Sequence, residues 1–222
     1  DMADRPGDFA MPTDELSATV SHFRNADLGE LSSRVRAATE EDLPRCIDLI
    51  NRSNEGLDLF RPYDLHRMEE RLNDAMWGPT PEFIPDVYGW SDFRVLEIDG
   101  VVVACGGLWD RGRDVREIWR QVSATGDDVS HVLDPTAVLD FGFSEGHEAA
   151  AAELLSHFLA TTGELGRTGM MAALEFLPDV AAAVADLAPQ PESRTLHVMP
   201  FSMPGLEIEA EITRPHTDLA YW

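Results

Sequence analysis

The chain of 222 residues contains no lysine, and all 17 of its basic residues are arginine. It carries 41 acidic residues, which gives a formal net charge of −24 at pH 7. This imbalance argues against nucleic-acid binding, because neutralising phosphates requires basic side chains. It favours a cationic ligand such as an amine, whereas an anionic ligand would need local positive charge where it binds. We attribute the missing lysine to coding bias or salt adaptation rather than to mechanism.

Cysteine and long apolar runs are also scarce. Cys46 and Cys105 each lie in an apolar periodic segment, which indicates reduced thiols in the core and favours a cytoplasmic protein. No apolar stretch approaches the ~20 residues that span a membrane, and the N-terminal residues show no signal-peptide segment. The seven histidines show no metal-ligand spacing, so no metal is expected.

The chain is predicted to divide at residue 33. Residues 1–33 are expected to form a flexible N-terminal arm with at most one extra strand, since apolar and polar residues alternate from Glu15. That strand could also be the last one of an upstream domain outside this sequence. Residues 34–222 are predicted to form one α/β domain.

Periodicity and turn residues place the elements of this domain. Thr39 is expected to begin a helix after a strand at 34–39, and Asp99-Gly100 is typical of a two-residue hairpin because both positions favour positive φ. Residues 109–120 break the pattern, and residues 121–135 are predicted as a polar connection. The remaining predictions are helices at 64–75 and 178–187, and strands at 93–98, 101–107, 137–143, 194–199 and 208–222.

The segment from Val138 to Phe176 combines a strand, a polar turn, an alanine-rich helix and a second strand. The first amides of such a helix have no partner inside it, so its N-terminus suits an anionic ligand. This unit, together with the earlier segment VRAATEEDLPRCIDLIN, resembles the GNAT superfamily of N-acetyltransferases. The resemblance covers residues 34–222 and is firmest at 34–51, 93–108 and 138–176.

The resemblance implies a GNAT-like acyl-CoA N-acyltransferase fold, with a mixed, mostly antiparallel sheet and helices on both faces. It implies acetyl-CoA as cosubstrate and a small amine as acceptor. The family's loop, Gln/Arg-x-x-Gly-x-Gly/Ala, falls on residues 146–151, where Gly146 and Ala149 depart from it and Ala151 matches. The positions that the resemblance assigns to cofactor binding are Phe141, Gly142, Phe143, Gly146, His147, Ala149, Ala150 and Ala151.

Charge near this loop is unfavourable for a diphosphate. Glu145 and Glu148 stabilise a helix start but repel an anion. Four arginines within ten residues could offset them, and their guanidinium groups suit phosphate. They could instead lie on a surface hairpin and pair with the abundant acids, or shape an acceptor pocket with Trp109 and Trp119. These arginines are Arg111, Arg113, Arg116 and Arg120.

Acetyl transfer to an amine needs a neutral amine, a polarised thioester carbonyl and a proton for the leaving thiolate. Asp140, expected mid-strand on the side of Val138, and Glu175, after the next strand, are the candidate catalytic carboxylates, although either could be structural. The candidate acceptor-binding residues are Phe60, Tyr63, Trp109 and Asp110.

The general acid that protonates the leaving thiolate is a separate question. The family often places a tyrosine with this role in the helix predicted at 178–187. That segment has none, and the chain's tyrosines are Tyr63, Tyr88 and Tyr221.

Two functions therefore fit the sequence. The first is an acetyl-CoA-dependent N-acetyltransferase acting on a small amine. The second is a non-catalytic GNAT-like module that binds a ligand or partner and whose cofactor loop has decayed. Neither nucleic acid nor membrane is expected as a partner, and the closing strands are compatible with a homodimer.

Overall fold

A computed structural model describes residues 14–58, 60–73, 88–111, 117–122 and 128–198. In chain order, the strands of these residues are β1 (Asp14–Phe23), β2 (Val35–Ala37), β3 (Phe93–Ile98), β4 (Val101–Trp109), β5 (Glu117–Val122), β6 (Asp128–Leu133), β7 (Thr136–Phe143), β8 (Met170–Ala172) and β9 (Gln190–Val198). The helices are α1 (Leu43–Ser53), α2 (Leu65–Leu72), α3 (Glu148–Glu164) and α4 (Pro178–Ala183).

Seven of the strands form one mixed sheet in the order β2-β3-β4-β7-β8-β1-β9. The pairing between β7 and β8 is parallel, and the other pairings in this sheet are antiparallel. A parallel pair needs a crossover connection, which α3 supplies between β7 and β8. The predicted fold class, a mixed, mostly antiparallel sheet with helices, is confirmed.

Helices cover both faces of the sheet. One apolar cluster joins α1 and α2 to Val95 and Leu139, and a second joins α3 and α4 to Leu96 and Val138. Neighbouring strand residues thus point to opposite faces, as the pleat requires. Because both faces are covered, β4 reads as a continuous apolar run rather than an alternating one.

Local signals placed several elements well. Asp99 and Gly100 have φ of 51° and 79° and join β3 to β4, so the predicted hairpin is confirmed. Asp64 accepts a hydrogen bond from the Arg67 amide at 2.8 Å and begins α2. The helix predicted at 178–187 is divided into α4 and a separate 3-10 turn, Ala185–Leu187.

The polar connection expected at 121–135 is wrong in part, and the hairpin alternative for the arginine-rich segment fits better, because β5 and β6 pair there as a separate hairpin. Their sequences, EIWRQV and DVSHVL, mix polar and apolar residues without strict alternation. A hairpin outside the main sheet is not required to share its apolar pattern, so the usual strand signal is missing.

Strand β1 comes from the residues predicted as an N-terminal arm. It lies between β8 and β9, pairing with β8 at Ser21–Phe23 and with β9 from Asp14 to His22. The sheet therefore continues across the boundary predicted at residue 33. The strand predicted at 208–222, Tyr221, Arg113 and Arg116 lie outside the described residues.

Candidate functional site

The parallel strands β7 and β8 separate soon after they meet. They pair at Thr136↔Met170 and Ala137↔Met171, whereas β7 continues to Phe143. The gap beyond these pairs forms a cleft of about 760 Å³, counted to its open mouth.

The cleft brings together five of the predicted site residues from separate segments. They are Phe60, Tyr63, Asp140, Phe141 and Glu175. The first two lie in the loop before α2, the next two on β7, and the last in the turn after β8. Residues predicted for catalysis, for cofactor binding and for acceptor binding thus line the same cleft.

A bulge in β7 sets the position of Asp140. Cys105 of β4 pairs with Gly142 and Gly107 pairs with Leu139, so two residues of β7 lie opposite a single residue of β4. Asp140 has a φ of 49°, in the left-handed region that Asp tolerates better than most residues. The bulge breaks the alternation, so Asp140 reaches α2 instead of the α3 face that Val138 occupies.

Three donors hold the Asp140 carboxylate. Arg71 Nε donates to Oδ2 at 2.5 Å, Tyr88 Oη to Oδ2 at 3.0 Å and Tyr63 Oη to Oδ1 at 2.7 Å. The side chain of Asp140 is 4% exposed and that of Arg71 is 8% exposed. We call these four residues the Asp140 cluster. Its carboxylate is paired inside the core rather than left open to solvent.

Burial raises the pKa of the Tyr88 hydroxyl well above its usual range, and the charge of Asp140 adds to this effect. Tyr88 therefore stays protonated and remains a donor. Its ring occupies space that Gly107 leaves free, since a Cβ at that position would collide with the tyrosine hydroxyl.

The loop around Tyr63 is fixed by its backbone. The Tyr63 amide donates to Asn51 Oδ1 at 2.8 Å, and Asn51 Nδ2 donates to the Tyr63 carbonyl at 2.9 Å. The Arg67 guanidinium lies 4.5 Å from the centre of the tyrosine ring. Tyr63 thus borders the cleft while its hydroxyl donates to Asp140.

Sequence analysis missed Arg71 as part of the site. A signal existed, because Arg71 falls between the apolar positions Met68 and Leu72 on the buried side of α2. A charged residue in the apolar phase of a helix needs a buried partner. Sequence spacing alone does not identify Asp140 as that partner, since the two lie 69 residues apart.

Glu175 has a different environment. It is exposed, and its Oε2 accepts a hydrogen bond from the Thr19 amide at 2.8 Å. Thr19 lies on β1, two residues beyond the position where Ser21 pairs with Ala172 of β8. Among the described residues Glu175 has no ion-pair partner, so it brings an uncompensated negative charge to the cleft.

The loop before α3 lies beyond the end of β7 and does not line this cleft. Gly146 has a φ of 77°, and its amide donates to Glu148 Oε1 at 3.1 Å. The His147 amide donates to the Ser144 carbonyl at 3.0 Å. Glu148 thus occupies one of the donors that a diphosphate would use.

The start of α3 leaves other donors. Ala151 is bonded through its amide to the His147 carbonyl at 3.0 Å. The amides of Glu148, Ala149 and Ala150 precede it and have no acceptor within the helix. The side chains of Ala150 and Ala151 pack in the core, so these positions can act on a ligand through the backbone alone.

Arg45 of α1 is the cation beside this loop, and sequence analysis missed it. Its guanidinium donates to Ser144 Oγ at 2.6 Å, to the Val102 carbonyl at 3.0 Å and to Asp48 Oδ2 at 2.8 Å. The side chain is 38% exposed, so it can meet a ligand from solvent. Of the arginines predicted for this role, Arg111 is buried, and Arg120 lies on β5.

Close packing brings α1 to this position. Gly142 of β7 is buried, and a Cβ there would collide with the backbone of Leu49 and Ile50. The Phe143 amide donates to Ser53 Oγ at 3.0 Å. Both positions predicted to bind cofactor therefore also join β7 to α1.

Two predicted acceptor residues lie away from the cleft. Trp109 is 5% exposed and packs in the apolar cluster beneath α1 and α2. Asp110 forms a bidentate ion pair with Arg167, at 2.7 and 2.9 Å. Tyr63 belongs to the same apolar cluster as Trp109, but neither Trp109 nor Asp110 lines the cleft.

The described part of the chain contains no group of three or more His, Cys, Asp and Glu side chains arranged to hold a metal ion. None of its helices is both long enough and apolar enough to cross a bilayer.

Comparison with known proteins gives structural likenesses alone, since no family model and no curated protein matches. A GNAT-family acetyltransferase from Novosphingobium aromaticivorans is 12% identical, with a TM-score of 0.47, and the match covers 87% of this chain and 69% of that one. The N-myristoyltransferase of Saccharomyces cerevisiae, solved with myristoyl-CoA, is 11% identical with a TM-score of 0.49. That match covers 82% of this chain and 48% of the yeast one, so the chain spans about half its length. Likenesses at this level transfer neither substrate nor mechanism.

Proposed function

We propose that the protein is an acetyl-CoA-dependent N-acetyltransferase that acts on a small amine. The observation that carries the proposal is the cleft between β7 and β8, which begins where these parallel strands separate and includes the bulged residues of β7. The same strand leads directly into the loop before α3, whose first amides lack helical acceptors. A thioester and an anionic carrier group therefore find suitable surroundings along one continuous segment.

In this proposal, acetyl-CoA supplies the activated thioester carbonyl. The backbone of residues 141–143 and the amides of Glu148, Ala149 and Ala150 would hold it, with Gly146 and His147 in the connecting loop. Arg45 would supply the positive charge that the acidic surface lacks, because its guanidinium already contacts Ser144 in that loop.

The acceptor amine must lose a proton before it attacks. Glu175 is the better placed of the two predicted catalytic carboxylates, since it is exposed in the cleft, whereas Asp140 already accepts three hydrogen bonds. Glu175 takes a proton from the ammonium group, and the neutral amine then attacks the thioester carbon. The C–N bond forms, the C–S bond breaks, and the second nitrogen proton passes to the thiolate through solvent.

One contact favours the alternative, a non-catalytic module. The Glu148 carboxylate occupies the Gly146 amide, so a diphosphate would have to displace a side chain of the same charge sign. In that case the protein binds a ligand in the cleft without acyl transfer.

Thermal shift with CoA and acetyl-CoA tests the proposal. Both should raise Tm by mass action, and Arg45→Gln should lower the response by weakening anion binding. Glu148→Gln should raise it, because the side-chain hydrogen bond can remain while the negative charge is lost. Asp179→Asn, an exposed change in the first turn of α4, is a matched control that should leave the shift unchanged. No shift at millimolar CoA would favour the non-catalytic module.

A further inference from the structure

The charges that line the cleft restrict its ligand. Asp140 and Glu175 are the charged residues among the described residues that line it, and no Arg or His joins them there. Asp140 is paired with the buried Arg71, so this pair adds little net charge. Glu175 is exposed and has no ion-pair partner within the described ranges. Among the described residues, the cleft therefore offers one open carboxylate and no cation for an acidic group.

Most of the other lining residues are apolar, and the polar ones are Thr19, Ser53, Asn54 and Tyr63. Five lining side chains are partly exposed and able to meet a ligand: Leu57, Phe60, Phe141, Phe176 and Leu177. Phe60 also contacts the ring of Tyr63 edge-on, with the ring centres 6.5 Å apart. Such a surface binds aliphatic or aromatic groups and leaves orientation to a few polar contacts.

We propose that the ligand of this cleft is a primary amine on an apolar body that carries no acidic group. As an account of the acceptor, this inference rests on the proposed function. The ammonium group pairs with Glu175, and the body packs against the apolar side chains. A carboxylate on the same molecule would face Glu175 without a compensating cation, and like charges placed together oppose binding.

A matched pair of amines tests this class directly. Phenethylamine and phenylalanine share the same body and differ by one carboxylate. Isothermal titration without cofactor should show phenethylamine binding at least about tenfold more tightly, because the added carboxylate meets Glu175. Glu175→Gln should weaken phenethylamine binding several-fold and reduce the difference between the two ligands.

A charge reversal provides the sharper variant. Glu175→Arg should lose phenethylamine binding and gain affinity for phenylalanine. Equal or tighter binding of phenylalanine to the wild-type protein would overturn the inference. So would phenethylamine binding that neither Glu175 variant changes.

The same experiment separates this inference from the proposed function. Acetyl transfer is followed by release of free thiol from acetyl-CoA with each amine. If phenethylamine binds through Glu175 but no thiol is released, acetyl transfer fails and the ligand class stands. If thiol is released with phenylalanine at least as fast as with phenethylamine, the transferase stands and the ligand class is overturned.

Discussion

Asp140 and Glu175 line the same cleft, yet the fold treats these two carboxylates in opposite ways. Asp140 lies on a bulge, is nearly inaccessible, and accepts hydrogen bonds from an arginine and two tyrosines. Glu175 lies in a turn, is exposed, and accepts one backbone amide. The difference shows that position in the sheet, rather than residue type, decides which carboxylate holds the wall together and which one is open to a ligand.

The largest expected effect comes from removing the charge of Asp140. Asp140→Asn keeps the size and tolerates the left-handed backbone, but it removes the negative charge that pairs with the buried Arg71. Breaking a buried pair in this way costs about 3–5 kcal/mol of unfolding free energy. Urea denaturation followed by circular dichroism measures the loss.

The control for this prediction is the double variant Asp140→Asn/Arg71→Met. Because it also removes the buried cation that paired with Asp140, it should be more stable than Asp140→Asn alone. Losses that simply add would show that the two side chains are not coupled.

A smaller loss of unfolding free energy is expected when a substitution at Gly107 displaces Tyr88 from the Asp140 cluster. Gly107→Ala forces the Tyr88 ring from its place, and overpacking of this kind costs about 1–3 kcal/mol. Gly106→Ala is the matched control, because its Cβ would lie 3.2 Å from Phe141 Cδ2 and 3.4 Å from Phe158 Cε2, whereas a Cβ at Gly107 would overlap the Tyr88 ring. Unfolding curves for the two variants should therefore differ, and equal losses would contradict the role given to Gly107.

Asp42 is an intermediate case, a carboxylate paired near the surface. The Arg36 guanidinium and the Thr39 amide and hydroxyl hold its pKa at about 2, below the usual 3.8. A lowered pKa contributes stability that is present above the unfolded value and is lost as pH falls towards 2. Urea midpoints from pH 6 to pH 2 should fall less steeply for Asp42→Asn than for the wild type, and parallel curves would contradict this.

The smallest effect on stability is expected at Glu175. Glu175→Gln retains an oxygen that can accept from the Thr19 amide, and exposed substitutions usually change the unfolding free energy by less than about 0.5 kcal/mol. A loss comparable to that of Asp140→Asn would show that Glu175 is also structural. Thermal melts of the two variants, compared side by side, decide the matter.

Local chemistry predicted much of this fold from the sequence. Asp99-Gly100 located a hairpin through its backbone preferences, and the spacing of Leu43, Ile47 and Ile50 located α1. The strand–helix–strand unit indicated where β7 and β8 lie, and so which segments border the cleft. These features depend on residues that are close to one another in the sequence.

Features set by distant partners were not predictable in the same way. The bulge at Asp140 depends on its register with β4, and the pairing with Arg71 joins positions 69 residues apart. Arg45 reaches the loop before α3 because Gly142 lets α1 pack closely on β7. The place of β1 inside the sheet depends on β8 and β9, which lie near the other end of the described chain.

The insertion of β1 has a consequence for biosynthesis. Asp14 pairs with Val198, so an early-translated strand must wait for a partner that leaves the ribosome last among the described strands. Until β9 has been synthesised, the backbone donors and acceptors of β1 that pair with it can form hydrogen bonds only with water or with other proteins. Contacts of such long sequence separation slow folding, and an unpaired strand is prone to aggregation. Yield of this protein in cells should therefore depend on how long nascent chains are protected.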